Sequence, residues 1–160
     1  RPRPLLDNLE KLAYAIHSDY NKKQLERYPD RPLAYPYFAD LPDSLKYSNL
    51  RQACAIADKL ESIGCRMLPL SSTAQPIMAF THEELECLAY AEHDDWMAER
   101  AESGWVYGEK RDAEQKVSPY MVPYAQLPED IKEYDRDAVR NIPSLLAMIG
   151  MGAYREGAAK

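Results

Sequence analysis

A chain of 160 residues is long enough to bury roughly 68–70% of its unfolded surface around one core. None of its apolar runs approaches the ~20 residues that cross a bilayer. The formal charge of −6, from 20 basic and 26 acidic side chains, repels phosphate backbones and anionic lipid, which argues against nucleic acid and membrane surfaces as partners.

Cys54, Cys65 and Cys87 show no CxxC spacing, which argues against a disulfide framework or zinc site and for a reducing, cytoplasmic compartment. They read as small core residues, and no cofactor is expected. Twelve tyrosines against two phenylalanines predict a polar-edged core or an aromatic-lined groove, since each buried phenol needs a partner. Arg1-Pro2-Arg3-Pro4 is not the apolar segment of a signal peptide. The missing initiator methionine leads to the expectation of a piece cut from a longer protein.

In chain order, Asp7 with Glu10 reads as a capping box, and Leu9, Leu12, Ala13, Ile16 and Tyr20 recur at helical spacing, predicting a helix from about Asp7 to Leu25. Tyr28 to Pro42 holds four prolines and is expected to be extended or turned. Ser48 or Asn49 is placed to cap a second helix with Ala53, Ile56, Ala57, Leu60 and Ile63 on one face, and Gly64 to close it. Arg66 to Leu70 suggests a short strand, and Ser71 to Pro76 a linker. Thr81 with Glu84 is a second capping box and opens a helix through Leu85, Leu88, Ala89 and Trp96 to Ser103-Gly104. From Trp105 to Leu127 no helical period survives. A last helix is predicted from near Asp135 through Val139, Ile142, Leu145 and Leu146 to Gly150, kinked at Pro143 because the Val139 carbonyl loses its donor. The tail after Tyr154 is expected to fray.

These elements repeat. LAYAIHSDY at 12–20 is answered by LAYAEHDDW at 88–96, Leu41-Pro42-Asp43 by Leu127-Pro128-Glu129, and Leu60-Glu61-Ser62-Ile63-Gly64 by Leu146-Ala147-Met148-Ile149-Gly150. The offset grows from 76 to 86, so copy two carries about ten extra residues. The expected fold is α+β and mostly α. It consists of two pseudo-twofold helix–extended loop–helix repeats on a shared core: residues 5–70, a linker at 71–80, and residues 81–155.

The added segment, GWVYGEKRD with Lys116 and SPYMVPY, concentrates aromatic rings and cations on one loop. These are the groups that stack a planar ring and hold a phosphate or carboxylate. On residue types alone the commoner outcome is structural, with Trp105 and Tyr107 folded back on the core and Arg111 paired to Asp112 or to a helix end.

The order His93, Trp96, Gly104, Trp105, Tyr107, Gly108, Arg111, Asp112, Lys116, Pro119, Val122, Pro123, Tyr124, Leu127, Pro128, Asp135, Arg136 resembles the ryanodine-receptor repeat domain, or RyR domain. Ser118 departs from the family, which often has His before that proline. Copy one is similar to the segment preceding the domain in certain bacterial proteins that carry an upstream NAD-binding domain of the potassium-transport-regulator type. The resemblance implies a non-catalytic module, with nucleotide or ligand sensing proposed for some members.

His17 and His93 recur at matched positions, and the recurrence favours a framework role over catalysis or metal binding: a ring nitrogen tied to a backbone carbonyl or to the other copy. Asp19 and Asp95 could orient those rings or cap a facing helix. Glu92, counterpart of Ile16, falls on an apolar face, with Arg111, Arg136 and Arg140 as candidate ion-pair partners. Residues 129–137 read as a solvated turn and helix start. The expected ligand site has Trp96, Trp105, Tyr107 and Tyr124 as walls and Arg111, Lys116 and Arg136 as anion-holders. The expected function is a non-enzymatic regulatory sensor of a small, nucleotide-like anion. The alternative is an assembly domain that docks other domains of its parent or a second subunit.

Overall fold

A computed structural model describes residues 3–71 and 73–156, and side chains from Asn8 onward. The chain is mostly helical with a few short strands and divides into two compact units. One runs up to Met78 and resumes at Ile142, and the other is Ala79–Asn141.

In the first unit, α1 (Arg3–Arg27) packs on α2 (Asp43–Ser62), and between them a single 3-10 turn, Phe38–Asp40, interrupts the proline-rich stretch. The helical backbone already begins at Arg3, so Asp7 lies inside α1 and is not its cap. Nor do Ser48 and Asn49 cap α2. That helix starts on Pro42, whose carbonyl accepts the Leu45 and Lys46 amides at 3.0 Å each. Proline's fixed φ, here −57°, suits a helix entrance as well as an extended segment, which is why the start lies five residues ahead of Ser48. Gly64 closes the helix at φ +74°, a conformation costly for any residue with a Cβ.

Beyond Gly64, β1 (Cys65–Pro69) pairs antiparallel with β4 (Met151–Arg155). The short helix α5 (Ile142–Met148) packs on α1 and β4. Leu12, Ala53, Leu60, Cys65, Ile142, Leu146 and Ala153 form the buried centre. Only Cys65 of the three cysteines is a core residue, because Cys54 and Cys87 fall on exposed helix faces. The tail is ordered one step further than expected: Arg155 is in β4, and the Glu156 amide donates to the Gly64 carbonyl at 2.9 Å. Residues 157–160 lie outside the described ones.

The second unit holds α3 (His82–Glu102), the two-residue strands β2 (Val106–Tyr107) and β3 (Val117–Ser118), a 3-10 turn at Tyr124–Gln126, and α4 (Glu129–Arg140) packed on α3. The capping box at Thr81 is formed: Glu84 N–H donates to Thr81 Oγ1 at 3.1 Å, and Thr81 N–H to Glu84 Oε1 at 2.9 Å. Helix α4 begins at Glu129, not near Asp135, again on a proline carbonyl, with Pro128 O accepting from Ile131 and Lys132. Glu129 and Asp130 in its first turn suit the positive end of the helix dipole. The expected kink at Pro143 is a full break. Asn141 N–H donates to the Val139 carbonyl that Pro143 cannot serve, α4 ends, and α5 opens with Pro143 in its first turn.

One order of elements recurs, helix, 3-10 turn, helix entered from a proline, left-handed glycine and strand, with β2, β3 and the separate α5 added in the second run. Gly150, at φ +71°, answers Gly64. In the β1–β4 ladder Met67 faces Ala153, its own counterpart at the 86-residue offset. The compact units cut across these copies, because α5 and β4 from the end of the second copy complete the core of the first unit.

Candidate functional site

The end of α3 sets the site. Gly104, at φ +92°, follows the cap residue Ser103, and its amide donates to Ala101 O at 3.0 Å while the Trp105 amide donates to Arg100 O at 2.9 Å. This is the paired bonding of a Schellman close, which brings the residue after the glycine against the one five positions before it. Here those residues are Trp105 and Arg100, and the guanidinium lies 5.2 Å from the indole centroid. The same guanidinium is 5.4 Å from Trp96, one turn earlier on α3.

The loop then folds back on itself. Val106 N–H donates to Lys116 O at 2.9 Å, and Asp112 and Val117 exchange both backbone bonds at 2.9 Å. Asp112 Oδ1 accepts the Glu114 and Gln115 amides at 3.1 Å each, fixing the turn. At Gly108 a Cβ would run into Val117 Cγ1, so only glycine allows the two short strands to approach. Arg111 is thereby returned to Trp105, its guanidinium 5.6 Å from the ring. Lys116, at φ +57°, is the one non-glycine left-handed residue among the described ones, and its Nζ donates to Ser103 O at 2.7 Å, at the negative end of α3.

A second cluster sits deeper. His93 stacks on Trp96, with centroids 5.5 Å apart and planes 18° from parallel, and its Nε2 donates to Val122 O at 2.7 Å. Its Nδ1 faces Asp135 Oδ2 at 3.6 Å. Burial pushes the Asp135 carboxyl up to about 6, with the His93 ring opposing the rise and Glu92 adding to it. His17 does likewise in the first unit, with Nε2 at 2.9 Å from Tyr35 O. Both carbonyls belong to a residue preceding a proline, so each histidine ties its helix to the extended segment, as the recurrence predicted. Asp19 instead pairs with Lys23 at 2.9 Å.

A third cluster takes up Tyr124 and Arg136. Arg136 holds Glu86 with two bonds, Nε to Oε2 at 2.7 Å and Nη2 to Oε1 at 3.1 Å, and reaches Glu129 and Glu133 as well. The buried Tyr124 hydroxyl donates to Glu86 Oε2 at 3.1 Å. Burial first, then that carboxylate, pushes the phenol up to about 12, and the Arg136 hydrogen bond holds Glu86 below the usual range. Arg140 pairs with Glu133 and Asp137.

The structure thus brings together Trp96, Trp105, Arg111 and Lys116 of the expected site residues, adds Arg100, and leaves Tyr107 exposed on β2. It draws Tyr124 and Arg136 into the α3–α4 framework. The carboxylate that meets Arg136 is Glu86, not Glu92, and Arg111 stacks on Trp105 without pairing to Asp112. Arg100 had a sequence signal, the Arg-x-x-x-Gly-Trp spacing of the helix close. Ser118, where the family often has His, is buried, and its Oγ accepts the Tyr120 amide at 3.1 Å.

A shallow open groove lies on the first unit between Asn21 and Leu25 of α1 and Leu33 and Pro36 of the extended segment, with Lys22 and Glu26 on its rim. Lys22 is its one basic lining residue, and the acidic Glu26 lines it too. Among the described residues no group of three His, Cys, Asp or Glu is set to hold a metal ion, and no helix is long and apolar enough to cross a membrane.

Fold and site together define a mostly helical module whose distinguishing part is an aromatic and cationic loop at a helix end. Residues 73–154 match the RyR domain, from the segment before α3 through Tyr154. The chain belongs to the RyR domain family.

Proposed function

We propose that this RyR chain is a non-catalytic, cytoplasmic regulatory module of a larger bacterial protein that senses a small anionic, nucleotide-like ligand through the Trp105–Arg111 loop. One observation carries the reading: the Arg100 and Arg111 guanidiniums lie 5.2 and 5.6 Å from the Trp105 ring centroid, and neither is ion-paired to a carboxylate among the described residues. A guanidinium without an acid partner beside an aromatic face offers a planar anion both a charge and a stacking surface. The two recurring histidines, His17 and His93, fit a framework role, because the Nε2 of each bonds a backbone carbonyl. The duplicated series of elements supports tandem, pseudo-twofold repeats, the first shortened. By analogy with related bacterial arrangements, an NAD-binding, potassium-transport-regulator-like domain would lie upstream.

A thermal-shift panel of nucleotides, dinucleotides and cyclic dinucleotides tests the reading. A true ligand at about 100 times its Kd adds about 2.7 kcal/mol to stability. If no compound moves the midpoint while deletion of residues 106–117 unfolds the second unit, the loop is framework.

A second reading, an assembly domain, is favoured by exposed aromatic surface: Tyr37, Tyr47 and Tyr134 are each more than 60% exposed, at 71%, 64% and 72%. Light scattering with the parent's other domains separates the two. A complex abolished by Trp105→Ala with no small-molecule response would select assembly.

A further inference from the structure

The two units carry opposite formal charge. The first has 13 basic against 10 acidic side chains, a net +3, and the second has 7 against 16, a net −9. The chain's −6 therefore conceals a polarity between its parts.

The positive side has a defined feature at the end of α1. Arg27 and Arg31 both lie over the Tyr28 ring, 5.8 and 4.1 Å from its centroid, and all three side chains are exposed. The Arg31 amide donates to Tyr28 O at 3.1 Å, which holds the turn. Glu26 and Asp30 are next along the chain, yet neither arginine is ion-paired among the described residues. The pair adjoins the shallow groove of this unit in sequence: Arg27 follows the lining residue Glu26, and Arg31 stands two residues before Leu33. Leu25, Leu33 and Pro36 give that groove apolar lining, and Lys22 is a further cation on it.

The negative side offers a helix flank of matching chemistry. Asp94, Glu99 and Glu102 are exposed along the C-terminal half of α3, interleaved with the exposed Ala98 and Ala101, and none of the three acids is paired among the described residues. Glu99 and Glu102 lie in the last turn, where the helix dipole disfavours a carboxylate. Cations from outside the chain would relieve that cost.

We propose that the chain associates with itself head to tail, the α3 flank of one copy seating in the α1 groove of another. Asp94, Glu99 and Glu102 meet Lys22, Arg27 and Arg31, while Ala98 and Ala101 are small enough to let the helix approach the Leu25, Leu33 and Pro36 lining. Because unlike surfaces meet, a pair leaves one groove and one flank open for further copies. Exposed ion pairs contribute little singly and are screened by salt, so the association is weak and salt-sensitive. It does not depend on the sensor reading, and its failure leaves that reading standing.

Sedimentation equilibrium of the full chain at about 25 mM and about 0.5 M salt tests it. Arg27→Glu with Arg31→Glu reverses the groove side, and Glu99→Arg with Glu102→Arg reverses the flank. Lys11→Glu with Arg51→Glu is a control that changes the charge of the first unit by the same amount. Each chain is checked for folding by circular dichroism. The unaltered chain is expected to associate at low salt below about 1 mM and to be monomeric at high salt. Each reversed chain alone associates about tenfold more weakly or less, and the control stays within about twofold. An equimolar mixture of the two reversed chains associates again, because each surface then meets its opposite, a recovery that neither misfolding nor an unrelated surface can produce.

An unaltered chain that stays monomeric at low salt up to about 1 mM refutes the proposal. So does a folded Arg27→Glu, Arg31→Glu chain that associates like the unaltered one, and so do reversed chains that stay monomeric when mixed. Equal weakening in the control means diffuse charge attraction and also overturns it. A monomeric chain that instead binds another domain of its protein through Arg27 and Arg31 would give the groove to that domain.

Discussion

Replacing Asp135 with asparagine should stabilise the protein at neutral pH and leave it unchanged in acid. His93 donates from Nε2 to the Val122 carbonyl, so in the neutral ring Nδ1 is a lone pair facing Asp135 Oδ2 at 3.6 Å. The Asp135 side chain is only 16% exposed. An ionised carboxylate there is poorly solvated, and this burial outweighs the His93 ring, which opposes the rise. The carboxyl accordingly moves from 3.8 to about 6, chiefly through burial. A folded-state value above the unfolded one means that the folded protein binds this proton more tightly. The group therefore costs nothing below about pH 4, begins to cost as the unfolded form ionises, and costs its full amount above about pH 6. A shift of that size has a ceiling of about 3 kcal/mol, and water reaching the exposed edge lowers it to about 1–3 kcal/mol. Asparagine matches the shape and supplies an N–H to Nδ1. Urea unfolding followed by tryptophan emission, which reports the second unit because both tryptophans lie there, should place Asp135→Asn about 1–3 kcal/mol above the parent at pH 7.5 and level with it at pH 4. Destabilisation at pH 7.5, or a difference that does not change with pH, would refute this account of the His93–Asp135 pair.

Glu86 behaves in the opposite sense. Its carboxyl is held below the ordinary range, first by the Arg136 hydrogen bond, so its contribution is present at neutral pH and lost as pH falls through the folded value. Glu86→Gln should cost about 1–3 kcal/mol at pH 7, and the cost should shrink as pH falls below the ordinary carboxylate range in the same urea assay. Gly104→Ala meets no steric neighbour nearer than Lys116 Cδ at 3.8 Å, so its cost is the left-handed backbone alone. That is about 1–2 kcal/mol, accompanied by a shift in Trp105 emission. Thr81→Ala removes one arm of the capping box and should lower stability by about 1 kcal/mol, with faster amide exchange confined to the first turn of α3.

What the sequence discloses here depends on how local the physics is. The α3 capping box, both closing glycines and the tie of each repeated histidine to a carbonyl are set within one copy, and they follow from spacing alone. The starts of α2 and α4 were hidden because Pro42 and Pro128 end the extended segments and open the helices at once, and a proline read as a breaker conceals its second role. The division of α4 from α5 needed the competition between Asn141 and the absent Pro143 donor for Val139 O. Arg136 looked like an anion-holder because its acid partner, Glu86, lies 50 residues away in sequence and charge patterning along the chain cannot pair them. The spacing to Gly104-Trp105 places Arg100 in the last turn of α3, but its lack of a carboxylate partner among the described residues is a property of the folded unit. The aromatic excess resolves the same way: Tyr124 and Tyr154 are buried with hydroxyl partners, in Glu86 and the Ser71 amide, while most other tyrosines are exposed.

The central claim is that the Trp105–Arg111 loop and the end of α3 form a ligand site. Its most direct test is the pair of indole N–H signals in a nitrogen-15 correlation spectrum of the full chain, titrated with pyrophosphate, ADP and a cyclic dinucleotide. With two tryptophans in the chain, two such signals report the site without ambiguity. The account predicts that both shift saturably with at least one of these probes, together with the Gly104 and Gly108 amides, while Gly64 stays in place. Indole signals that remain fixed at millimolar probe in a folded sample, or that move no more than Gly64, would contradict it.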